Sequence, residues 1–336
     1  MLSAKKISAE EWTEALRNHP EANFLHCFSW QKLHENLEMH TEGLAIFRDE
    51  TIVGLLLMIV KNAKRGRYVE IPGGPLIDWT DQAVVEFTTN QIKEFAKKHH
   101  AVFARVRPQL EKTDEAEKIF AENGYKKAPM HLHAEHTSML DLTQTEEDIL
   151  KNMRQQTRYE VRKAERIGVQ VRSYLATKKI DEFITMQNET AKRQGFVTSS
   201  SKFLKTLVLS FAKNAKIYVS EKDGRVLNMG LVLSFGREVD YFEASSSDGA
   251  SKFPGAYGLL WRIIKDAKND GYKRLNFWGI AYSKDPKNRY AGVTTFKRGF
   301  GGDDVIYLPA QDLIISRPKY AFSWIVETVR RKMRRL

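Results

Sequence analysis

The run from Ile52 to Val60 holds only apolar residues and one glycine, and it constrains the fold more than any other stretch. Nine residues cannot cross a bilayer as a helix, which needs about 20. An unbroken apolar run rich in Leu, Ile and Val instead reads as a strand buried on both faces, the central strand of a helix-covered sheet. GLAIF (43–47) precedes it across a polar turn, Arg48-Asp49-Glu50. RYVEI (67–71) follows and ends on Pro72-Gly73-Gly74-Pro75, which suits neither helix nor ladder. The spacing of Val84, Phe87, Ile92 and Phe95 predicts a helix over 81–98, with Thr80 and Asp81 as caps. AVFARV (101–106) is a further strand, and a short helix from residue 113 stops at Gly124.

The second half repeats this order. IYVSE (217–221), a turn at Asp223-Gly224, VLNMGLVLSF (226–235) and VDYFEAS (239–245) read as three strands. A Gly- and Ser-rich stretch leads into a helix with Leu259, Leu260, Ile263, Ile264 and Ala267 on one side, and KRLNFW (273–278) closes the unit. DETIVGLLL and DGRVLNMGLVL occupy matching places, at an offset of about 175 residues. A chain of 336 residues built this way is two similar mixed α/β domains rather than one large sheet.

Between the halves, Thr143 with Glu146 has capping-box spacing and Gly168 is a natural stop, so 145–167 reads as one helix. Leu150, Met153, Val161 and Ala164 share a narrow sector at about 100° per residue. Arg154, Arg158, Arg162 and Arg166 spiral across the adjoining sector. Residues 151–166 carry six positive and two negative side chains. An isolated helix of this kind would merely solvate its basic face. Four arginines almost without acidic neighbours at i±4 also suit phosphate oxygens, which guanidinium forks bind in pairs.

The net charge of +12 admits nucleic acid, a phosphorylated small molecule or an anionic membrane as partner. One cysteine, Cys27, precludes an intramolecular disulfide and fits a reducing compartment. The opening MLSAKKISAEEW lacks the apolar region of a signal peptide, so a cytoplasmic location is expected. His131, His133 and His136 lie close together without cysteines and with few carboxylates nearby, and read as structural rather than metal ligands. There is no Walker loop and no GxSxG elbow.

The loop Gly249–Gly255, between a strand and a helix N-terminus, favours an anion. This strand–loop–helix is similar to that of the GNAT acyltransferases, but their Q/R-x-x-G-x-G/A signature is absent from both halves, so coenzyme A is not expected. Two longer segments carry a second resemblance: GIAYSKDPKNRYAGVTTFKRGFGG (279–302), with its FK-x-x-FG element, and MRQQTRYEVRKAERIGVQV (153–171). With FLHCFSWQKL (24–33) and IPGGPLID (71–78), they resemble, in order and over nearly the whole chain, the Fem family of non-ribosomal peptidyltransferases.

The resemblance implies two GNAT-like domains in tandem, 1–144 with about 309–336 returning to it, and 145–308 opened by the basic helix. It implies transfer of glycine, alanine or serine from an aminoacyl-tRNA to an amine of a peptidoglycan precursor, without a cofactor. Larger members carry a coiled-coil arm, whereas residues 174–213 here read as two ordinary helices, so the chain resembles the armless FemX type. Lys297 falls at the lysine of the family's site with Phe296 beside it, and Arg154, Arg158, Arg162 and Lys163 fall where tRNA is met. Arg193, Gln194 and Gly195 match an Arg-x-Gly that precedes the acceptor site. The positions that hold a UDP-linked acceptor correspond here to His34, Ser199, Phe203 and Glu243, and these departures favour a lipid-linked precursor.

Elementary chemistry agrees, since aminolysis of an activated ester needs proximity, a neutral amine and stabilisation of developing negative charge. The sequence also admits two alternatives: an acyl-CoA-dependent N-acyltransferase and a non-catalytic RNA-binding protein. The last segment, 326–336, holds five positive charges and one negative. It reads as a helix packed on the first domain, or as a weak contact with an anionic membrane at its inner face.

Overall fold

A computed structural model describes residues 1–17, 19–64, 66–130, 134–281 and 290–334. His131, His133, the 282–289 part of the 279–302 motif and the two last residues lie outside the described residues. The chain forms two compact units, one of residues 1–135 with 306–336 and one of residues 136–305.

The first unit runs β1 (Leu2–Lys5), α1 (Ala9–Arg17), α2 (Phe28–Asn36), β2 (Thr41–Arg48), β3 (Thr51–Ala63), β4 (Gly66–Gly73), β5 (Leu76–Ile77), α3 (Gln82–Lys98), β6 (Phe103–Pro108), α4 (Asp114–Glu122) and β7 (Tyr125–Lys127). The second runs β8 (His136–Asp141), α5 (Glu146–Asn152), α6 (Gln155–Arg166), β9 (Gln170–Leu175), α7 (Ile180–Gln194), α8 (Ser201–Phe211), β10 (Ala215–Lys222), β11 (Arg225–Phe235), β12 (Glu238–Ser246), α9 (Gly255–Asn269), β13 (Arg274–Asn276), α10 (Ala291–Arg298) and β14 (Asp303–Ile306). β15 (Gln311–Ile314) and α11 (Arg317–Arg334) belong to the first unit again.

The main path of the first sheet is β1-β2-β3-β4-β6-β15-β7, and the second sheet is β14-β8-β13-β12-β11-β10-β9. Read from opposite ends, the two have the same plan. Three antiparallel steps lead to one parallel pair, β4–β6 in the first and β12–β13 in the second. The helix between the paired strands, α3 or α9, is the crossover that a parallel pair requires. β3 is central, with Gly54 to Val60 all buried, so the unbroken apolar run does mark two-sided burial. Each such Leu, Ile or Val contributes about 1.5–3 kcal/mol. The core of the first unit gathers Leu56, Met58, Ile71, Val84, Ile92 and Phe95, and that of the second gathers Val232, Leu259, Ile263, Leu275, Phe277 and Phe300.

Three expectations change. The first boundary falls at 135/136 rather than 144/145, because β8 lies in the second sheet, and the second falls at 305/306, three residues before the expected 308/309. The helix expected over 145–167 is two helices, α5 and α6, parted at Met153 and Arg154, whose backbones are extended. Its cap is Thr145, whose hydroxyl accepts the Asp148 N–H, while Thr143 bonds back to Asp141. Between β9 and β10 the chain holds α7 and α8, with no coiled-coil arm among the described residues.

Candidate active site

The parallel pair of the second sheet is short. β12 and β13 pair only over Glu238–Asp240 and Arg274–Asn276, after which β12 continues to Ser246 while the other chain turns away at Trp278. In the first unit the equivalent pair holds over Val69–Gly73 and Ala104–Pro108. The second sheet therefore opens at the carboxyl ends of two parallel strands, where α/β sheets receive ligands. A bulge on β12 sharpens the opening. Leu231 pairs with Glu243 and Val232 with Tyr241, leaving Phe242 as the extra residue, and bulges of this kind re-aim side chains.

Lys297 lies on one side of the opening. It sits in the last turn of α10, and its Nζ donates to the carbonyl oxygens of Gly279 at 2.8 Å and Trp278 at 3.5 Å. The residue as a whole is half-buried, but loss of water around the ammonium lowers its pKa to about 7. This is not the surface lysine that its helical context alone would suggest. Its two carbonyl partners are themselves fixed. Trp278 has φ of +60°, a conformation a tryptophan adopts only when its surroundings impose it. Its N–H donates to Asn276 Oδ1 at 2.9 Å. That buried amide accepts from Thr137 and donates at 3.1 Å to Glu238, which Arg274 neutralises. A largely buried hydrogen-bonded network thus holds the backbone that aims the lysine.

Glu243 lies just past the bulge. Its carboxylate accepts from Ser199 Oγ at 2.6 Å and from the Gln187 side-chain amide, which in turn accepts from Thr198 Oγ1 at 2.9 Å. Burial raises its pKa, and the two hydrogen bonds oppose that rise. The two sides are linked by packing, since the rings of Phe242 and Trp278 lie 5.9 Å apart. A cationic ammonium and a carboxylate of raised basicity on neighbouring walls are the complement for proton and charge movement in acyl transfer.

The two sequence motifs meet behind Lys297. The Arg154 N–H donates to the Gly299 carbonyl at 2.9 Å, which occupies the backbone at the break between α5 and α6. A Cβ on Gly299 would overlap Thr157 Oγ1, and one on Gly301 would lie 2.9 Å from the Asn152 carbonyl oxygen. Phe300 is buried against Tyr257, Phe277 and Phe296. The glycines and aromatic residues of FK-x-x-FG are therefore what lets α10 dock on the basic segment.

The basic residues divide by role. Arg158 Nη1 donates to the Lys151 carbonyl at 2.8 Å and the Leu150 carbonyl at 3.1 Å, closing the C-terminal turn of α5. Lys163 pairs with Glu160 and lies over the Tyr159 ring. Arg154 and Arg162 are exposed, and among the described residues their guanidinium groups have no partner. Arg154, Gln155, Gln156 and Tyr159 line an open cavity of about 590 Å³.

Of the other sequence candidates, Ser199 joins Glu243, and Phe203 sits in the first turn of α8, half-buried. Phe296 packs edge-on against Tyr257 and Phe300. His34 belongs to the first unit, where it is buried with its ring 5.0 Å from that of Trp30 and Nδ1 against the Trp30 carbonyl. Arg193 donates to the Ser246 carbonyl at the end of β12. Gln187, Thr198 and Trp278 did not stand out in the sequence. Gln187 left a signal, as the polar residue on a buried helix face with Phe183, Ile184 and Ala191.

Two units of one plan, each with a crossover helix on a parallel pair, define a tandem GNAT-like fold. A tandem GNAT protein from the clavulanic acid biosynthesis pathway superposes with a TM-score of 0.58 at 10% identity, covering 94% of this chain and 99% of its own. The crystal structure of FemX superposes with a TM-score of 0.86 at 16% identity, over 97% of this chain and all of that one. In sequence, the aminoacyltransferase FemA of Staphylococcus aureus (strain MRSA252) is 25% identical over 379 aligned positions, spanning 86% of this chain and 89% of that protein. The sequence model of the FemAB family matches residues 7–225 and 218–328. The chain belongs to the FemAB family and is an aminoacyltransferase.

Proposed function

We propose that this protein transfers glycine, alanine or serine from an aminoacyl-tRNA to an amine of a peptidoglycan precursor's stem peptide, building the interpeptide bridge in the cytoplasm. The observation that carries this reading is Lys297, a desolvated ammonium aimed by two backbone carbonyls at the place where β12 and β13 part. In aminolysis the acceptor nitrogen attacks the ester carbonyl, a C–N bond forms and the bond to the ribose oxygen breaks. Negative charge builds first on the carbonyl oxygen and then on the leaving oxygen, which takes up the proton released by nitrogen. Lys297 stabilises that charge or the adjoining tRNA phosphates. Glu243, held by Ser199 and Gln187, receives the acceptor's ammonium and its proton. Arg154 and Arg162 meet the phosphate backbone.

The acceptor is lipid-linked. His34 and Glu243 replace the lysine and tyrosine that the family resemblance associates with a nucleotide-linked acceptor, and neither a sealed histidine nor a half-buried carboxylate suits a pyrophosphate. The test is transfer in vitro from a panel of radiolabelled aminoacyl-tRNAs to lipid-linked and UDP-linked muropeptides. Lys297→Met should cut transfer by about 10²–10³-fold, the scale of one lost electrostatic stabiliser. Rates within twofold of wild type would remove Lys297 from the mechanism, and preference for the UDP-linked acceptor would overturn the acceptor assignment. The second reading is an acyl-CoA donor held at the anion-favouring loop before α9, although that loop lacks the GNAT signature. Micromolar binding of coenzyme A by calorimetry would establish that donor instead.

A further inference from the structure

Helix α11 is built the wrong way round for a surface helix. Its inward face is polar: Ser323 and Glu327 are fully buried, and Tyr320 nearly so. Glu327 bonds to Arg105 at 2.8 Å, and Tyr320 OH donates to Asp312 at 2.9 Å, Asp312 being itself paired with Arg105 at 2.7 Å. The apolar residues lie outward. Phe322 is 59% exposed, Ile325 58%, Val329 50% and Met333 78%. Their spacing of three, four and four residues stacks them within one stripe of the helix, away from Tyr320, Ser323 and Glu327. A surface helix normally turns such a stripe toward the core, and an exposed one of this kind marks an interaction site.

Charge identifies what covers the stripe. The one acidic residue of α11, Glu327, is turned inward, so the charges the helix offers to solvent are positive. Arg317, Lys319, Arg330 and Arg331 are exposed, and among the described residues none has an ion-pair partner. A second copy of this chain would cover the apolar stripe but set the same cations against each other across a two-fold contact. A nucleic acid would take the cations and leave Phe322 and Ile325 in water. A bilayer containing anionic phospholipid satisfies both features at once, apolar residues entering the acyl boundary and cations meeting headgroup phosphates. No helix among the described residues is long and apolar enough to cross a membrane, so the contact is peripheral.

We infer that the outward stripe of α11, Phe322, Ile325, Val329 and Met333, with Lys319 and Arg330 bordering it, docks the protein on an anionic phospholipid surface. The contact needs neither precursor nor tRNA, so it stands or falls separately from the proposed reaction.

The experiment is cosedimentation of the full chain with phosphatidylcholine vesicles containing about one-third phosphatidylglycerol, against pure phosphatidylcholine, at low and physiological salt. Wild-type protein should sediment with the anionic vesicles alone, and less so at higher salt. Phe322→Gln/Ile325→Gln/Val329→Gln keeps every charge and should weaken binding more than tenfold. Lys319→Gln/Arg330→Gln should weaken it by about 30-fold, roughly fivefold for each cation lost. Both sets change exposed side chains, and unaltered thermal midpoints would show that the fold persists. Failure of wild type to sediment, or equal sedimentation by the apolar variant, would overturn the proposal. So would a concentration-dependent dimer that the glutamine triple abolishes.

Discussion

Lys297 is the residue whose chemistry can be read most directly from its surroundings. Desolvation brings its pKa to about 7, so near neutrality it exchanges between ammonium and amine. If the ammonium stabilises developing negative charge, the active fraction falls as pH rises through about 7. The acceptor's own deprotonation pushes the other way, so the informative quantity is a ratio. Lys297→Arg keeps a positive charge at all working pH values, because guanidinium titrates above about 12. The ratio of wild-type to Lys297→Arg kcat/KM is expected to fall as pH rises through about 7, since kcat/KM reports the free enzyme. A flat ratio would show that the charge of Lys297 takes no part. Stability gives a second readout with its own sign. Below about pH 7 both folded and unfolded chains hold the proton, and the burial penalty is fully present. Between about 7 and 10.5 the folded chain releases a proton that the unfolded chain retains, so the penalty shrinks. Lys297→Met should therefore melt above wild type at pH 6, with the gap closing toward pH 10.

At the scale of elements, the break between α5 and α6 decides what the basic segment can do. An uninterrupted helix would present its arginines alike. The break instead commits Arg158 to the carbonyls of α5 and leaves Arg154 and Arg162 exposed. Arg154→Gln and Arg162→Gln should each lower the slope of log K for tRNA against log salt by about 0.7–0.9, with little change in thermal midpoint. Arg158→Gln should do the reverse, lowering the midpoint and leaving the slope nearly intact. Equal slope losses at all three positions would mean that Arg158 leaves α5 to meet RNA. The break was not legible in the sequence, because no glycine or proline marks residues 153–154. It is set by a carbonyl at Gly299, far along the chain. The strands were legible for the opposite reason: two-sided burial writes itself locally, as Ile52–Val60 does. Lys297 was legible through family resemblance alone. Gln187 did not stand out, since a polar residue on an apolar helix stripe is a weak signal and only the fold reveals that it faces Glu243.

At the scale of the whole chain, the duplicated pattern predicts two domains but not how the ends are shared between them. The strand beside β6 in the first sheet is β15, from the end of the chain, whereas the second sheet is drawn from one continuous stretch. This asymmetry makes the two halves unequal as fragments. Residues 136–306 contain every strand of their own sheet and a contiguous core, so they should fold alone with a cooperative urea transition. Residues 1–135 lack β15 and α11. Without them β6 and β7 lose the strand between them, and Arg105, buried and bonded to Asp312 and Glu327, loses both carboxylates. An uncompensated buried charge costs about 3–5 kcal/mol, a large share of a domain's total stability of about 5–15 kcal/mol. Residues 1–135 should therefore be unfolded or aggregated by circular dichroism and gel filtration. A permuted fragment that joins 306–336 through a flexible linker to the start of 1–135 should recover a cooperative transition, and its Asp312→Ala variant should lose it. Cooperative folding of residues 1–135 alone would show that the returning segment is an accessory to the first unit rather than a part of its core.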